Sequence, residues 1–469
     1  MTNDIDVLFN QQKENQNNIK NSDSGQRIQK LELIENYLNN EKNLDQLYHA
    51  MYTDLKKPKA EILISETGII HAHLSFVKKN LKKWMKPEKV SRPLSLLGTK
   101  SHIQYEPKGI TLIISPWNYP LNLSIVPLIY ALSAGNSIVL KPSEISSSTS
   151  RFIKKMITDL FDEKEVAVVE GGSNIAQELL GKPFDHIFFT GSPQIGKIVM
   201  SEAAKNLSSV TLELGGKSPS IIDETADLSG ISEKCTWAKF INTGQSCIAP
   251  DYLILKDVVY NDFLENMIYS IEKLYSAQEN IKMSSDYGRI INEKHFKRLE
   301  SMFNDALEKG AHVVYGGEFD ESSLYISPTI LDNVSEDMEI MNDEIFGPIL
   351  PVIKYSSTSE ACDIVSRRPK PLTMYIASKD KKNINYLINH TTAGGSVIND
   401  YMLGYSNPNL PFGGVNNSGI GKSFGFHGFV EFSNQRSIIH RKWGNLNLIY
   451  PPYSEKKLEK LKEIHKWFS

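Results

Sequence analysis

Cysteine is scarce in this chain: Cys235, Cys247 and Cys362 are the only three in 469 residues. An odd and sparse count excludes a disulfide framework and fits a reducing, cytoplasmic compartment. Charge of one sign is also lacking. Lysine and arginine number 52 against 55 aspartate and glutamate, a net charge of −3, so no basic field points to nucleic acid. No apolar run is long and clean enough to span a bilayer. The longest, Leu121 to Leu140, is broken by Asn122, Pro127, Gly135 and Asn136, and reads as buried helix, turn and strand. The first six residues show no basic segment leading into an apolar one, so no secretory signal is expected. There is no repeat of solenoid period, and no metal site is expected.

What is present is a globular composition, 40% hydrophobic and 23% charged, in a chain long enough for two or three domains. Residues 10–22 are rich in Gln, Asn and Lys and are expected to fray. A helical period begins at Arg27 with Ile28, Leu31, Ile34 and Leu38 and continues through 47–55 and 60–86, the lysines of 77–89 forming a solvated face. Residues 102–106 read as an extended arm. Short β-branched runs at 109–115, 137–141, 165–169 and 186–190 then alternate with helical stretches at 121–133, 147–161 and 174–180. Strand–helix alternation of this kind predicts an α/β, doubly wound parallel sheet. A second series has strands at 220–222, 252–255, 311–314, 349–353, 372–376 and 395–398. Its helices lie near 228–242, 257–275, 293–309, 357–366 and 380–388.

Gly244-Gln245-Ser246-Cys247 reads as a loop carrying a thiol. Gly244 permits tight backbone geometry and Pro250 removes a donor soon after. Two readings stand on local grounds. A thiol on a positioned loop becomes a strong nucleophile once ionised; a free cysteine also serves as a small buried hydrophobe, the reading given to Cys235 and Cys362. Gly191 to Gly196 follows a strand and opens a helix, where free N–H groups and the helix dipole favour phosphate. Its spacing is neither that of the usual dinucleotide fingerprint nor that of a P-loop. Further polar clusters sit at strand ends: Pro116-Trp117-Asn118-Tyr119-Pro120, Lys141-Pro142-Ser143-Glu144, Glu213-Leu214-Gly215-Gly216-Lys217 and Glu344-Ile345-Phe346-Gly347-Pro348. In open α/β sheets ligands bind outside the carboxyl ends of strands.

Taken in order, these clusters with Phe189-Thr190-Gly191-Ser192 and the Cys247 loop resemble the motifs of the NAD(P)-dependent aldehyde dehydrogenase superfamily, over about residues 25–450. Cys247-Ile-Ala-Pro-Asp-Tyr252, Tyr287-Gly-Arg-Ile-Ile-Asn292 and Leu410-Pro-Phe-Gly-Gly414 are similar to its class 3 and fatty aldehyde dehydrogenase branch. The resemblance implies two Rossmann-type domains and a small β arm: 1–90 with 109–216 for the dinucleotide, 217–407 for the thiol, and 91–108 with 408–445 pairing in a homodimer.

It also implies roles. Cys247 would attack the aldehyde, with the Asn118 amide and the Cys247 N–H holding the oxyanion. Glu213 would activate the water that hydrolyses the thioester. Gly191, Ser192 and Gly196 would meet the pyrophosphate, and Lys141 and Glu144 the adenosine ribose. Glu344 would hold the nicotinamide ribose, and Phe346 and Trp117 would line the nicotinamide side. Glu144 tilts the expected cofactor toward NAD, with NADP also accepted, because its charge opposes a 2′-phosphate. Retention of Glu213 favours water over coenzyme A as acyl acceptor, and the intact catalytic positions favour an enzyme over a binding protein on this scaffold. The substrate class includes long-chain aliphatic, aromatic and apocarotenoid aldehydes.

Two positions depart from the branch. Asn416 stands where it has Gly, and Ser423-Phe424 where it has Tyr-His. His427 nearby reads as a surface or packing residue. The tail, 446–469, is a basic amphipathic segment with Leu458, Leu461, Ile464 and Phe468 on one face and Trp467 beside them. It suits either a docked terminal helix or a peripheral membrane contact.

Overall fold

A computed structural model of the protein describes residues 4–276, 280–445 and 447–466. Two doubly wound sheets meet with the functional segments between them. The first sheet runs in the spatial order Val166–Val168, Ser137–Lys141, Ile110–Ile114, His186–Gly191, Ser209–Leu214, all parallel. Its central strands are buried on both faces, which is why they read as unbroken apolar runs rather than alternating ones. The first strand in sequence lies in the middle, so the winding reverses between Ile110–Ile114 and His186–Gly191. That switch point opens a crevice at the carboxyl ends. Its rim carries Trp117 and Asn118 on one side and Gly191 and Ser192 on the other. Helix Asn122–Ala134, buried at all but one residue, packs beneath.

The N-terminal segment differs from expectation. Residues 10–22 are not frayed: helix Ile5–Lys20, capped by Asp4, covers the first sheet. Ile5, Leu8, Phe9 and Ile19 are buried beneath it, and polar residues add to the hold. Gln12 is fully buried and its amide donates to the carbonyls of Ile138 and Glu163, while Gln16 accepts from the Ser137 N–H. A buried amide that finds carbonyl partners is no longer a penalty. Helices Ser24–Leu38, Glu41–Leu55 and Gly68–Trp84 follow the predicted period. A π turn at Leu63–Thr67 precedes the last of them and buries Glu66; such π turns are enriched at functional sites.

The second sheet has seven strands, ordered His312–Tyr315, Thr329–Asp332, Ile349–Tyr355, Tyr252–Lys256, Pro219–Ile222, Thr373–Ala377, Gly395–Ile398, with only the first edge strand antiparallel. Thr329–Asp332 and Ser209–Leu214 were not foreseen as strands. Both are short or half-exposed and follow no distinct turn signal. The carboxyl-end rule fails for this sheet. Cys247 precedes Tyr252–Lys256 and Glu344–Phe346 precedes Ile349–Tyr355, so both lie at the amino-terminal edge. The carboxyl-end switch point beside Ile222 and Ala377 is closed by its own hydrogen bonds among Asp223, Thr225, Ser378, Asn383 and Asn399. The carboxyl edge of the first sheet therefore faces the amino edge of the second.

A third sheet joins Glu88–Val90, Thr99–Pro107 and Ser433–Arg441, all antiparallel. The segment leading into it first returns to the first sheet. Gly419 and Ile420 pair with Glu213 and Leu212, and helix Gly425–Glu431 lies against helix Asn122–Ala134. Asn416 has φ +55°, a left-handed position that Asn tolerates better than other side-chain-bearing residues, so the departure from Gly keeps the turn. The tail forms helix Glu455–Lys466 with Leu458 and Ile464 about half exposed; Trp467 and Phe468 lie outside the described residues. Among the described residues no helix is long and apolar enough to cross a membrane.

Gly196 lies on helix Pro193–Lys205 where it meets the sheet. A Cβ there would sit 2.8 Å from Leu214 Cδ2. Gly196→Val is expected to cost about 1–3 kcal/mol by overpacking, read from urea denaturation, and to raise the KM for the dinucleotide by displacing the helix start.

Candidate active site

The thiol loop is built on a strained turn. After helix Leu228–Phe240, Asn242, Thr243 and Gly244 all take left-handed backbone angles, with φ of 51°, 55° and 72°. Left-handed geometry costs non-glycine residues roughly 1–2 kcal/mol each, so the surroundings must enforce it. They do so through side chains. Asn242 donates to the carbonyls of Asn118 and Gln245, and its N–H is received by Glu61. Gln245, which composition marks as a poor core residue, is buried because its amide is satisfied by Asn242, Arg289 and Ile291. Gly244 approaches Gly347 so closely that a Cβ would meet its carbonyl oxygen at 2.4 Å. Cys247 ends this turn partly exposed. Burial raises its thiol above the ordinary range, and the Glu344 and Glu213 carboxylates raise it further, against the help of its own and the Ile248 N–H groups. The resting group is a thiol, and a base must take its proton.

Asn118 is tied to the same loop. Its side-chain amide donates to the Gln245 carbonyl at 3.1 Å, which leaves a second N–H free. Its own carbonyl receives the Lys57 ammonium at 3.1 Å and the Asn242 amide at 2.9 Å. Lys57 is buried and paired with fully buried Glu66 at 2.8 Å. Glu66 also receives the Asn122 N–H at the start of the core helix. Burial raises the Glu66 carboxyl, while Lys57 opposes that rise. Neither Lys57 nor Glu66 was anticipated. A lysine in Leu55-Lys-Lys-Pro58 carries no local mark that separates it from a solvated one.

Glu213 closes strand Ser209–Leu214 and faces the same small cavity as Cys247. Oε1 receives the Ser423 hydroxyl at 2.7 Å, whereas Oε2 is buried without a partner among the described residues. Burial pushes its carboxyl up to about 8; Ser423 and Lys422 hold it back and Glu431 adds to the rise. The cavity, about 30 Å³, is walled by Leu123, Val126, Tyr130, Leu372, Tyr405, Phe412, Phe424 and Phe432. That volume holds about one water.

The residues expected to meet a dinucleotide lie along the crevice. Ser192 caps helix Pro193–Lys205, and Gly191 precedes it at the rim. Gly196 is turned into the sheet, where it serves close packing. Lys141 is buried and holds half-exposed Glu144 at 2.8 Å. Beside them a cavity of about 370 Å³ is lined by Pro142, Glu144, Ser147, Ser150, Arg151 and Glu170. Glu344 lies across Gly215, where a Cβ would strike its carboxylate at 1.9 Å, and its Oε1 is buried without a partner among the described residues. Burial pushes this carboxyl too up to about 8. Trp117 packs edge-on to Phe346 and against His295, and Arg298 donates to the carbonyls of Glu344 and Ile345. A free helix start, an adenosine-sized cavity and an orphaned carboxylate oxygen fit a dinucleotide. His295, Arg298 and Arg151 were missed, since nothing in sequence brings them to this crevice.

A crevice at the carboxyl ends of a doubly wound sheet, opening on a thiol, an amide and a buried carboxylate, fits a cofactor-linked oxidoreductase of carbonyl compounds. Comparison with known proteins agrees. The aldehyde dehydrogenase family model matches residues 1–438. The chain is 44% identical over 411 residues to the 4,4'-diaponeurosporen-aldehyde dehydrogenase of Staphylococcus aureus, covering 87% of this chain and 88% of that one. It is 41% identical over 422 residues to mouse (Mus musculus) aldehyde dehydrogenase family 3 member B1, covering 89% of each. The solved substrate-bound state of Staphylococcus aureus AldH superposes with a TM-score of 0.93 at 40% identity, over 100% of both chains. The chain belongs to the aldehyde dehydrogenase family, in its class 3 branch, and is an NAD(P)-dependent enzyme that oxidises aldehydes to carboxylic acids.

Lys57→Met strands the Glu66 charge in the core. Breaking a buried pair from one side costs about 3–5 kcal/mol, to be read from urea denaturation. Adding Glu66→Gln is expected to recover most of that loss while kcat stays depressed, because Asn118 still lacks its ammonium anchor.

Proposed function

We propose that Cys247 is the nucleophile, Asn118 an oxyanion donor and Glu213 the general base for a hydrophobic aldehyde. The observation that carries this reading is the unpartnered Glu213 Oε2, buried in the same apolar cavity that Cys247 lines. Glu213 takes the thiol proton as sulfur adds to the aldehyde carbon. The oxyanion is held by the free Asn118 N–H and the Cys247 N–H, each such donor contributing about 3–4 kcal/mol to the transition state. When bound, the dinucleotide supplies the hydride acceptor. Glu213 releases the thiol proton to solvent and then takes a proton from water as that water attacks the thioester; the C–S bond breaks, the acid leaves, and the thiolate regains a proton from Glu213. The aromatic side chains of Tyr405, Phe412 and Phe424 beside Cys247 favour an apolar aldehyde over a polar one, in keeping with the relative named for an apocarotenoid aldehyde.

Gly191 and Ser192 would receive the pyrophosphate, Lys141 and Glu144 the adenosine ribose, Glu344 the nicotinamide ribose, and Trp117 and Phe346 would flank the ring. NAD is the preferred cofactor in this reading, because Glu144 opposes a 2′-phosphate, and Arg151 in the same cavity lets NADP be used as well. Residues 1–90 with 109–216 serve the dinucleotide, 217–407 the thiol chemistry, and 91–108 with 408–445 the arm of a homodimer.

Cys247→Ala is expected to abolish NADH production from decanal or benzaldehyde, followed at 340 nm; undiminished turnover rejects the thiol mechanism. Because Glu213 must be ionised to accept a proton and holds its own up to about pH 8, thioester hydrolysis is expected to rise with pH, with a midpoint near 8. Arg151→Ala is expected to lower kcat/KM for NADP while sparing NAD, and Glu144→Ser to raise that for NADP.

A further inference from the structure

We propose that Ser423 is a positioning residue for thioester hydrolysis, fixing Glu213 so that Oε2 alone is the basic oxygen facing Cys247. The inference rests on Glu213 being the base. Ser423 is 5% exposed, and its hydroxyl donates to Glu213 Oε1 at 2.7 Å. The residue has little freedom to leave. Its N–H and carbonyl both pair with Phe412, in an isolated antiparallel bridge. The next residue, Phe424, is held at φ +76°, a backbone conformation that bulky residues rarely adopt. Phe424 is clamped there by stacking on Phe412 with ring centroids 4.9 Å apart, and by edge contact with Tyr405. Beyond it the Gly425 N–H donates to the Tyr130 hydroxyl at 2.7 Å, and that hydroxyl meets His73 Nδ1 at 2.7 Å. Strain stored and over-determined in this way marks sites where geometry matters to chemistry.

The hydroxyl divides the labour of the two carboxylate oxygens. With Oε1 occupied by a donor, a proton taken from water goes to Oε2, and Oε1 remains the carbonyl oxygen of the neutral acid. The hydrogen bond is charge-assisted when Glu213 is ionised and weaker when it is protonated, so it favours the basic form. Other groups also act on Glu213. Lys422, anchored on the Gly413 and Gly414 carbonyls, stabilises the ionised form. Glu431, held by the Thr211 hydroxyl, opposes it. The Cys247 thiol and the buried Tyr405 hydroxyl lie in its field from the facing side. Of these groups, only Ser423 touches the carboxylate.

The test follows the Cys247 thioester directly. Full-length enzyme is mixed with NAD+ and less than one equivalent of decanal, quenched at intervals, and the acyl adduct is weighed by intact-protein mass spectrometry between pH 6 and 10. In Ser423→Ala, adduct formation, which also draws on Glu213 as base, is expected to slow with its pH midpoint moved upward. Its decay is expected to slow about 10–100-fold, the worth of one hydrogen bond to a charged group, with the pH midpoint moved upward. Ser423→Thr is expected to restore both. Decay and midpoint unchanged in Ser423→Ala, while Glu213→Gln slows decay, overturns the role of Ser423 alone. Unchanged decay in Glu213→Gln overturns the base assignment itself. Equal loss of formation and decay in Ser423→Ala with an unmoved midpoint assigns the residue a merely structural part and also overturns the proposal.

Discussion

A carboxylate kept out of water organises this molecule. Glu213 is buried where the carboxyl edge of one sheet meets the amino edge of another, and burial alone makes its proton hard to lose. The same seam raises Glu344 and the Cys247 thiol. An isolated charge in such a place is expensive, and the surrounding structure answers by supplying one donor to Oε1 and none to Oε2. The result is a base set near neutral pH, with one oxygen held by Ser423 and the other buried without a partner among the described residues. Lys57 and Glu66 repeat the principle one layer out. Their ion pair is worth little as stability, since desolvation offsets its attraction, but it aims the Asn118 carbonyl and hence the amide beyond it.

Two of the segments with strained backbone flank this carboxylate. Asn242 to Gly244 and Phe424 both occupy left-handed conformations. Each is held by partners distant in sequence: Asn118, Glu61 and Gly347 for the first, Phe412, Tyr405 and Tyr130 for the second. Rigid loops of this kind keep a thiol and a base at a fixed separation without relying on either residue's own neighbours. The apolar wall they enclose has room for about one water.

Much of the architecture was legible because it follows from local rules. Central strands such as Ile110–Ile114 are buried on both faces and announce themselves as β-branched runs. Helices such as Ser24–Leu38 show their period. The failures have physical causes. The helix at Ile5–Lys20 looked frayed because, past Phe9, its contacts to the sheet are made chiefly by Gln12 and Gln16, and a glutamine gives no apolar signal. Ser209–Leu214 is half exposed at its start and merges into a glycine-rich turn, so its strand character was masked. The rule that ligands gather at carboxyl ends misled for the second sheet, since no local feature tells which edge of one sheet will face another.

The candidate site divides along the same line. The residue types and their order along the chain were sufficient to suggest a thiol, an amide, a carboxylate and a phosphate-binding turn, because each type has limited chemistry and the motifs are specific as a set. The three-dimensional packing decided what those groups are. It showed that burial raises the thiol, that one oxygen of Glu213 is tied while the other has no partner among the described residues, and that Ser423, Lys57 and His295 lie nearby. Chain order records which groups are available. Acidity, orientation and exposure arise from contacts between residues as far apart as Glu213 and Ser423, and only folding brings those together.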